Sequence, residues 1–257
     1  MIIRKSPEEI EMIAAAGAIH VRAMELVADM IRPGITTAQL DHAVDRYIRS
    51  QGAVPSFKGY RGFPGAICAS PNSLVVHGIP GEDVTLEEGD IISVDIGVTL
   101  DGWVADGACT FPVGEIDPET ARMIAATEAS LFDAVAQARP GNRVGDISHA
   151  VQERVEDAGF SVIRTLVGHG VGRSMHEDPQ VPNYGPAGKG PKLTEGMVLA
   201  IEPMVNVGGP DVHMASDGWS VYTDDGSQSA HFEFTVAVTG EGPRILNPWH
   251  EMVRDRR

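Results

Sequence analysis

Two stretches of the 257-residue chain repeat each other at one fixed offset. Residues 32–53, RPGITTAQLDHAVDRYIRSQGA, align without a gap on residues 139–160, RPGNRVGDISHAVQERVEDAGF, with seven identities, where chance gives roughly one or two. Residues 86–95, LEEGDIISVD, align on residues 193–202, LTEGMVLAIE, at the same offset of 107. A common R-P-G loop opening would not explain the second match, so the sequence predicts duplicated halves.

Helix signals recur in both halves. Ser6, followed by Pro7 and two glutamates, is typical of a helix N-terminus. After each R-P-G loop a second helix is expected, capped by Thr36 or Thr37 in the first half and by Asp146 in the second, with apolar residues at helical spacing behind each cap.

Strand-like segments follow the helices in each half. We predict strands at IISVDIGVTL, WVADGACTFPV, FSVIRTLV, MVLAIEPMV and HFEFTVAVT. Because no polar linker separates the halves, roughly residues 6–113 and 114–247, we expect residues 1–257 to form a single α+β domain. Its sheets should meet in the middle, with the helices outside.

Acidic residues outnumber basic ones, 36 to 20, which gives a formal net charge of −16. Such a chain lacks the excess positive charge that binding to nucleic acid or anionic membranes requires. No run of about 18 apolar residues predicts a membrane span. Two isolated cysteines, Cys68 and Cys109, make a disulfide framework improbable, so we expect a cytoplasmic protein without membrane or nucleic-acid partners.

Three carboxylates interrupt otherwise apolar strand sequences: Asp95 in SVDIG, Glu202 in LAIEPM and Glu233 in HFEFTV. An unpaired buried carboxylate costs several kcal/mol, so a cation is needed beside them. Asp95 and Glu202 are equivalent in the repeat and should face one central cleft.

A turn signal adds a fourth carboxylate to this group. Asp101-Gly102 predicts a two-residue hairpin turn, which sets Asp95 opposite Ala108 and Asp106 opposite Gly97. The two aspartates then become diagonal neighbours on one face of the hairpin.

The second half carries an insertion before Glu233. Residues 208–227, GGPDVHMASDGWSVYTDDGS, are predicted to form a polar loop whose acids are solvated, while Trp219 can present its indole to the cleft. His169 lies between Gly168 and Gly170, which permit close backbone approach to a ligand or ion.

Charge favours two metal ions. Four carboxylates and one neutral imidazole carry −4, which two divalent cations balance, and oxygen-rich ligation favours Mn, Fe or Co. Two such ions about 3.5 to 4 Å apart would activate a water and polarise a carbonyl, which predicts hydrolysis of an amide or ester.

At these residues the sequence resembles the type I methionine aminopeptidases, which have the pita-bread fold of two pseudo-symmetric halves. The resemblance covers essentially the whole chain. It implies the metal ligands Asp95, Asp106, His169, Glu202 and Glu233. It further implies that Asp106 and Glu233 bridge two ions and that Glu202 handles protons of the attacking water. His77 and His176 would contact the substrate and stabilise the tetrahedral intermediate.

The resemblance also implies a pocket and a substrate. The pocket would be lined by Phe57, Tyr60, Phe63, Cys68, Met175 and Trp219, an apolar and polarizable wall suited to a thioether. The expected substrate is the initiator methionine of a nascent chain whose second residue is small. The chain departs from the family's usual residues at Phe57, Leu166, Met175 and Phe234.

Two alternatives stay open from the sequence. One is a prolidase or proline aminopeptidase, which shares the five ligands but usually carries an additional N-terminal domain. The other is an inactive peptide-binding module on the same fold. We further expect a monomer, with transient ribosome contact through the small basic segments at Arg4-Lys5 and residues 254–257.

Overall fold

The computed structural model describes residues 1–253, so residues 254–257, predicted to contact the ribosome, lie outside the described part. The helices of residues 1–253 are α1 (Pro7–Met30), α2 (Thr37–Ser50), α3 (Pro118–Gln137), α4 (Val144–Asp157) and the short α5 (His250–Val253), with a 3-10 turn at Tyr60–Gly62. None of these helices combines the length and hydropathy that a membrane span requires.

The first-half helices begin at the predicted caps. The Ser6 hydroxyl accepts the Glu9 N–H while the Glu9 carboxylate accepts the Ser6 N–H, a reciprocal capping box. Thr36 and Gln39 make the same box at α2.

The predicted cap of α4 is wrong by three residues. Arg143 is the N-cap, and Asp146 lies at the third helical position, where its carboxylate accepts the Arg143 N–H at 2.7 Å. Asp146 is thus the repeat equivalent of Gln39 rather than of Thr36. An acid in the first turn stabilises the helix from there as well.

The strands are short, apart from one long hairpin. In chain order they are β1 (Val54–Pro55), β2 (Cys68–Pro71), β3 (Leu74–Val76), β4 (Ile91–Leu100), β5 (Trp103–Pro112), β6 (Ser161–Val162), β7 (Gly168–Gly170), β8 (Glu177–Val181), β9 (Val198–Ile201), β10 (Met204–Asn206), β11 (Val212–Met214), β12 (Val221–Thr223), β13 (Ser229–His231), β14 (Phe234–Thr239) and β15 (Gly242–Ile245). Every pairing between them is antiparallel.

These strands form four sheets. In the first half, β4 pairs with β1, β2 and β5. In the second half the orders are β13-β10-β6 and β15-β14-β9-β7-β8, and a small sheet β11-β12-β3 joins the halves. Helices packed with antiparallel sheets confirm the predicted α+β class.

The duplication extends to individual backbone pairs. Val54 pairs with Thr99 between β1 and β4, and Ser161 pairs with Asn206 between β6 and β10, each member shifted by 107 residues. The isolated bridge between Thr36 and Thr85 likewise recurs between Arg143 and Lys192. The sequence repeat therefore corresponds to a repeat of backbone pairing in the structure.

Three predicted strands are shorter than expected. FSVIRTLV is a strand only at Ser161–Val162, MVLAIEPMV is interrupted at residues 202–203, and HFEFTVAVT is interrupted at residues 232–233. Pro203 has no N–H to donate to a ladder, and the N–H of Glu233 turns away to donate to the Ala108 carbonyl of the first half at 2.9 Å. The two glutamates therefore lie at strand breaks, not inside continuous strands.

The segment 208–227 is not a plain loop. Residues 212–214 and 221–223 form the hairpin β11–β12, and Val221 of β12 pairs with Val76 of β3 in the first half. The four aspartates of the segment are exposed, as predicted.

Residues of both halves share the main hydrophobic core. Met24 of α1 and Val94 of β4 belong to the same buried cluster as Met123 of α3 and Val236 of β14. This shared core supports the proposal that the chain is a single domain.

Candidate metal and substrate site

The β4–β5 hairpin brings the two aspartates together as predicted. Asp101 and Gly102 form its turn with φ of 50° and 77°, the left-handed conformation that two-residue hairpins require. In the resulting register Asp95 is opposite Ala108 and Asp106 is opposite Gly97.

All five predicted metal ligands line one cavity of about 320 Å³. His169 approaches two of the carboxylates: its Nε2 lies 3.4 Å from Glu202 Oε1 and 3.9 Å from Asp106 Oδ2. Its Nδ1 donates to the Gly170 carbonyl at 2.9 Å, which leaves Nε2 unprotonated and able to bind a cation.

The glycines around His169 allow close strand packing. A Cβ at Gly168 would lie 2.4 Å from the Ala200 carbonyl oxygen of β9, and one at Gly170 would lie 2.2 Å from the Asp178 carbonyl oxygen of β8. Only glycine lets β7 fit between these two strands, and this fit fixes the position of the imidazole.

Donor atoms that can hold a metal form two adjacent groups, Asp106–His169–Glu233 and Glu202–His231–Glu233. Glu233 belongs to both groups. Asp95 lies beside Asp106, and its Oδ1 is buried without a hydrogen-bond partner among the described residues. Sequence reasoning missed His231, whose only signal was its position two residues before Glu233 in HFEF.

Burial dominates the electrostatics of the four carboxylates. Burial raises the pKa of Asp95 well above its usual value, and the neighbouring charges of Asp106 and Glu202 raise it further. Burial likewise raises the pKa of Asp106, Glu202 and Glu233. Within residues 1–253, no lysine or arginine forms an ion pair with any of them. All four can be ionised together only if another cation joins them.

Two further imidazoles face the same cavity, those of His77 and His176. The Tyr60 hydroxyl lies 2.9 Å from His176 Nδ1. Burial lowers the pKa of His176 to about 4, with smaller contributions from His169, Arg61 and His77. Burial also lowers the pKa of His77, so both rings are neutral near pH 7.

A buried ion pair supports the loop before His176. Lys5 Nζ lies 2.6 Å from Glu177 Oε2, and the two side chains are only 2% and 6% exposed. The other oxygen of Glu177 accepts the N–H groups of Arg173 and Ser174. The N-terminal segment thereby holds the segment that carries His176.

Five of the six predicted pocket residues line the cavity: Phe57, Tyr60, Phe63, Cys68 and Trp219. The rings of Phe63 and Trp219 meet edge to face with centroids 5.2 Å apart. Met175 does not line the cavity. It is buried, and its Cε and the Phe57 ring both pack against Gly97.

Residues 11–240 match the sequence profile of metallopeptidase family M24. The chain belongs to this family. Methionine aminopeptidase 1 of Bacillus subtilis is 52% identical over 246 residues, which cover 96% of this chain and 99% of that protein. The resemblance to methionine aminopeptidases is therefore confirmed.

Solved structures of methionine aminopeptidases and of a prolidase confirm the predicted pita-bread fold. Methionine aminopeptidase from Thermotoga maritima superposes with a TM-score of 0.95 at 45% identity, over 96% of this chain and 99% of that one. The prolidase from Pyrococcus horikoshii shares the fold with a TM-score of 0.77 at 23% identity, and the matched region is only 64% of its length.

The donor set suits the divalent metal that an M24 peptidase binds. The site offers carboxylate oxygens that have no lysine or arginine partner within residues 1–253, together with an unprotonated imidazole nitrogen of His169. Asp95 Oδ1, Glu233 Oε1 and His231 Nε2 are buried without hydrogen-bond partners among the described residues. Such atoms need a partner, and a bound divalent cation can supply one.

The cavity of this M24 peptidase also contains residues that sequence reasoning did not assign to it: Arg61, Val76, Thr165, Leu166, Val167, Met204 and His231. Thr165, Leu166 and Val167 fell inside a predicted strand. They instead follow the end of β6 and form part of the cavity wall.

Proposed function

We propose that the chain is a metal-dependent aminopeptidase that removes the N-terminal methionine from newly made proteins whose second residue is small. The observation that carries this proposal is a buried group of four carboxylates and an imidazole in the same cavity as an aromatic and thiol-containing wall. Relatives named methionine aminopeptidase match along nearly their whole length, which supports the same activity here.

The metal ligands in this proposal are Asp95, Asp106, His169, Glu202 and Glu233. Glu233 belongs to both groups of donor atoms, which supports a bridging role for it, and we assign the same role to Asp106. We assign two divalent ions, with Co, Mn or Fe as candidates, because two such ions balance the charge of four carboxylates. When bound, they supply a Lewis acid for the scissile carbonyl and lower the pKa of water in the site.

Glu202 is the residue proposed to move protons. It lies at the end of β9 with its carboxylate beside His169. From this position its carboxylate can take up a proton from the attacking water and deliver it to the departing amine.

His77 and His176 are proposed to orient the scissile amide. Both rings are neutral near pH 7, so each can donate one hydrogen bond to a carbonyl oxygen or accept one from an amide. A donor aimed at the oxygen of the tetrahedral intermediate stabilises it more strongly than the ground-state carbonyl.

The wall formed by Phe57, Tyr60, Phe63, Cys68 and Trp219 is proposed to hold the methionine side chain. Aromatic edges and a thioether attract each other by about 0.3–1.5 kcal/mol. Burial raises the pKa of the Cys68 thiol, so the thiol stays protonated and adds an uncharged sulfur to this wall.

The partners in this proposal are the N-termini of nascent chains in the cytoplasm. Both cysteines are buried thiols, which supports a reducing compartment. Ribosome contact is proposed to involve Arg4, which is exposed, whereas Lys5 is engaged in a buried ion pair with Glu177. We also propose a monomeric state.

A prolidase-like activity is the competing proposal, since the prolidase shares the fold. The two are separated by measuring product release from Met-Ala-Ser and from Ala-Pro and Leu-Pro dipeptides, with protein loaded with Co, Mn or Fe. Release of methionine with little cleavage of the X-Pro dipeptides is expected. A preference for X-Pro substrates would contradict the proposal, and peptide binding without release under any metal would favour the inactive module.

A further inference from the structure

His231 lies at the end of β13 and is 2% exposed. Its backbone is fixed from the first half of the chain: the His231 N–H donates to Thr110 Oγ1 at 2.9 Å, and the Thr110 hydroxyl donates to the His231 carbonyl at 2.9 Å. The position of the ring is therefore set by the same β5 strand that carries Asp106.

The ring of His231 points at two carboxylates. Its Nε2 lies 3.7 Å from Glu202 Oε2 and 3.9 Å from Glu233 Oε2. Both distances are too long for a hydrogen bond, and Nε2 is buried without a hydrogen-bond partner among residues 1–253. A buried nitrogen without a hydrogen-bond partner lowers the stability of the fold unless another group contacts it.

A cation shared with the two glutamates can be the missing partner of His231 Nε2. The three donor atoms of Glu202, His231 and Glu233 lie within 4.8 Å of one another. Ligands bound at about 2.0–2.2 Å to one ion can be up to about 4 Å apart across it, so one ion can contact all three after small side-chain movements. The two oxygens of Glu202 face different imidazoles, Oε1 facing His169 and Oε2 facing His231.

We propose that His231 is a metal ligand, so that the centre contains two imidazoles, one on each side of Glu202. This inference rests on the proposed metallopeptidase function and deepens it. An additional nitrogen donor raises affinity for ions that bind imidazole well, such as Co, relative to Mn, which prefers oxygen. His231 thereby adjusts which metal the centre retains.

The test is proton NMR of the intact protein labelled with ¹⁵N-histidine and loaded with Co²⁺, which shifts the ring protons of every bound imidazole far outside the normal range. Two shifted imidazoles are expected in the wild type and one in His231→Gln. His149→Gln, which replaces an exposed imidazole on α4, should keep both. If the glutamine variant does not fold, His231→Asn takes its place.

Calorimetric titration gives the second readout. His231→Gln should weaken the binding of one Co²⁺ equivalent by at least about tenfold and change Mn²⁺ binding less. Only one shifted imidazole in the wild type, with unchanged Co²⁺ affinity in the variant, would overturn the proposal. Two shifted imidazoles without methionine release would leave His231 a ligand and contradict the proposed function instead.

Discussion

The hydroxyl of Thr235 holds both backbone groups of Asp106. It accepts the Asp106 N–H at 2.9 Å and donates to the Asp106 carbonyl at 2.8 Å. Asn247 strengthens the contact, because its side chain donates to the same carbonyl at 2.7 Å. Thr235 lies on β14 and Asp106 on β5, so a side chain of the second half positions a proposed ligand of the first.

Replacing Thr235 with valine removes both of these hydrogen bonds with little change of shape. An unpaired buried N–H costs about 1–3 kcal/mol, so Thr235→Val should lower the free energy of unfolding by about that amount. Thr235→Ser keeps the hydroxyl and loses one buried methyl, about 0.8 kcal/mol. Urea unfolding measures the free energy of unfolding of both variants. Hydrogen exchange of the Asp106 amide should accelerate only in the valine variant. Equal exchange in the two variants would contradict this role of the hydroxyl.

Glu233 is proposed to hold both metal positions, so Glu233→Ala should reduce the metal content of the purified protein. Its carboxylate contributes an oxygen to both donor groups. Elemental analysis after metal loading and dialysis provides the measurement, with circular dichroism to check folding. Unchanged stoichiometry would refute the bridging role.

Tyr60 orients His176 through its hydroxyl. Losing one hydrogen bond of about 0.5–1.5 kcal/mol should lower kcat/KM of Tyr60→Phe about 2- to 10-fold. Metal content should not change, since Tyr60 is not a proposed ligand. Tyr184→Phe, at a tyrosine outside the cavity, is the matched control. Equal kcat/KM in Tyr60→Phe and the wild type would show that His176 needs no such support.

His20 makes stability depend on pH. Its ring is buried against the Gly107 carbonyl at 3.0 Å, and burial lowers its pKa from 6.5 to about 4. The unfolded chain therefore takes up a proton below pH 6.5 that the folded chain does not. This contribution to stability is complete above pH 6.5 and is lost as the pH falls toward 4, by roughly 3 kcal/mol in total.

His20→Gln should therefore lose less stability than the wild type between pH 7 and pH 4.5. Urea unfolding of metal-free protein at several pH values gives the comparison, with His149→Gln as the variant that should follow the wild type. If the free energy of unfolding depended on pH equally in His20→Gln and the wild type, His20 would be excluded as the cause of that dependence.

Local signals explain which parts of the fold could be predicted. The turn at Asp101-Gly102 determines the register of its hairpin without help from the rest of the chain, and Asp95 and Asp106 meet where that register sets them. The repeat lets the structure of one half be predicted from that of the other, because equivalent residues such as Thr36 and Arg143 form equivalent bridges.

Contacts between the halves explain what could not be predicted. The strand break at Glu233 depends on its N–H reaching Ala108 in the other half, which no local pattern encodes. His231 is one of nine histidines, and only the folded chain brings it to Glu202. Met175 has the residue type of a pocket wall, yet it packs against Gly97 and does not line the cavity.

The proposed enzyme releases methionine only ahead of a small residue and only with metal bound. Mass spectrometry of the products from Met-Ala-Ser and Met-Lys-Ser, with metal-loaded and metal-stripped protein, measures both properties. Free methionine is expected from Met-Ala-Ser only, and its release should depend on metal and return when metal is added back. Equal release from both peptides, or release that survives removal of the metal, would contradict the proposed function.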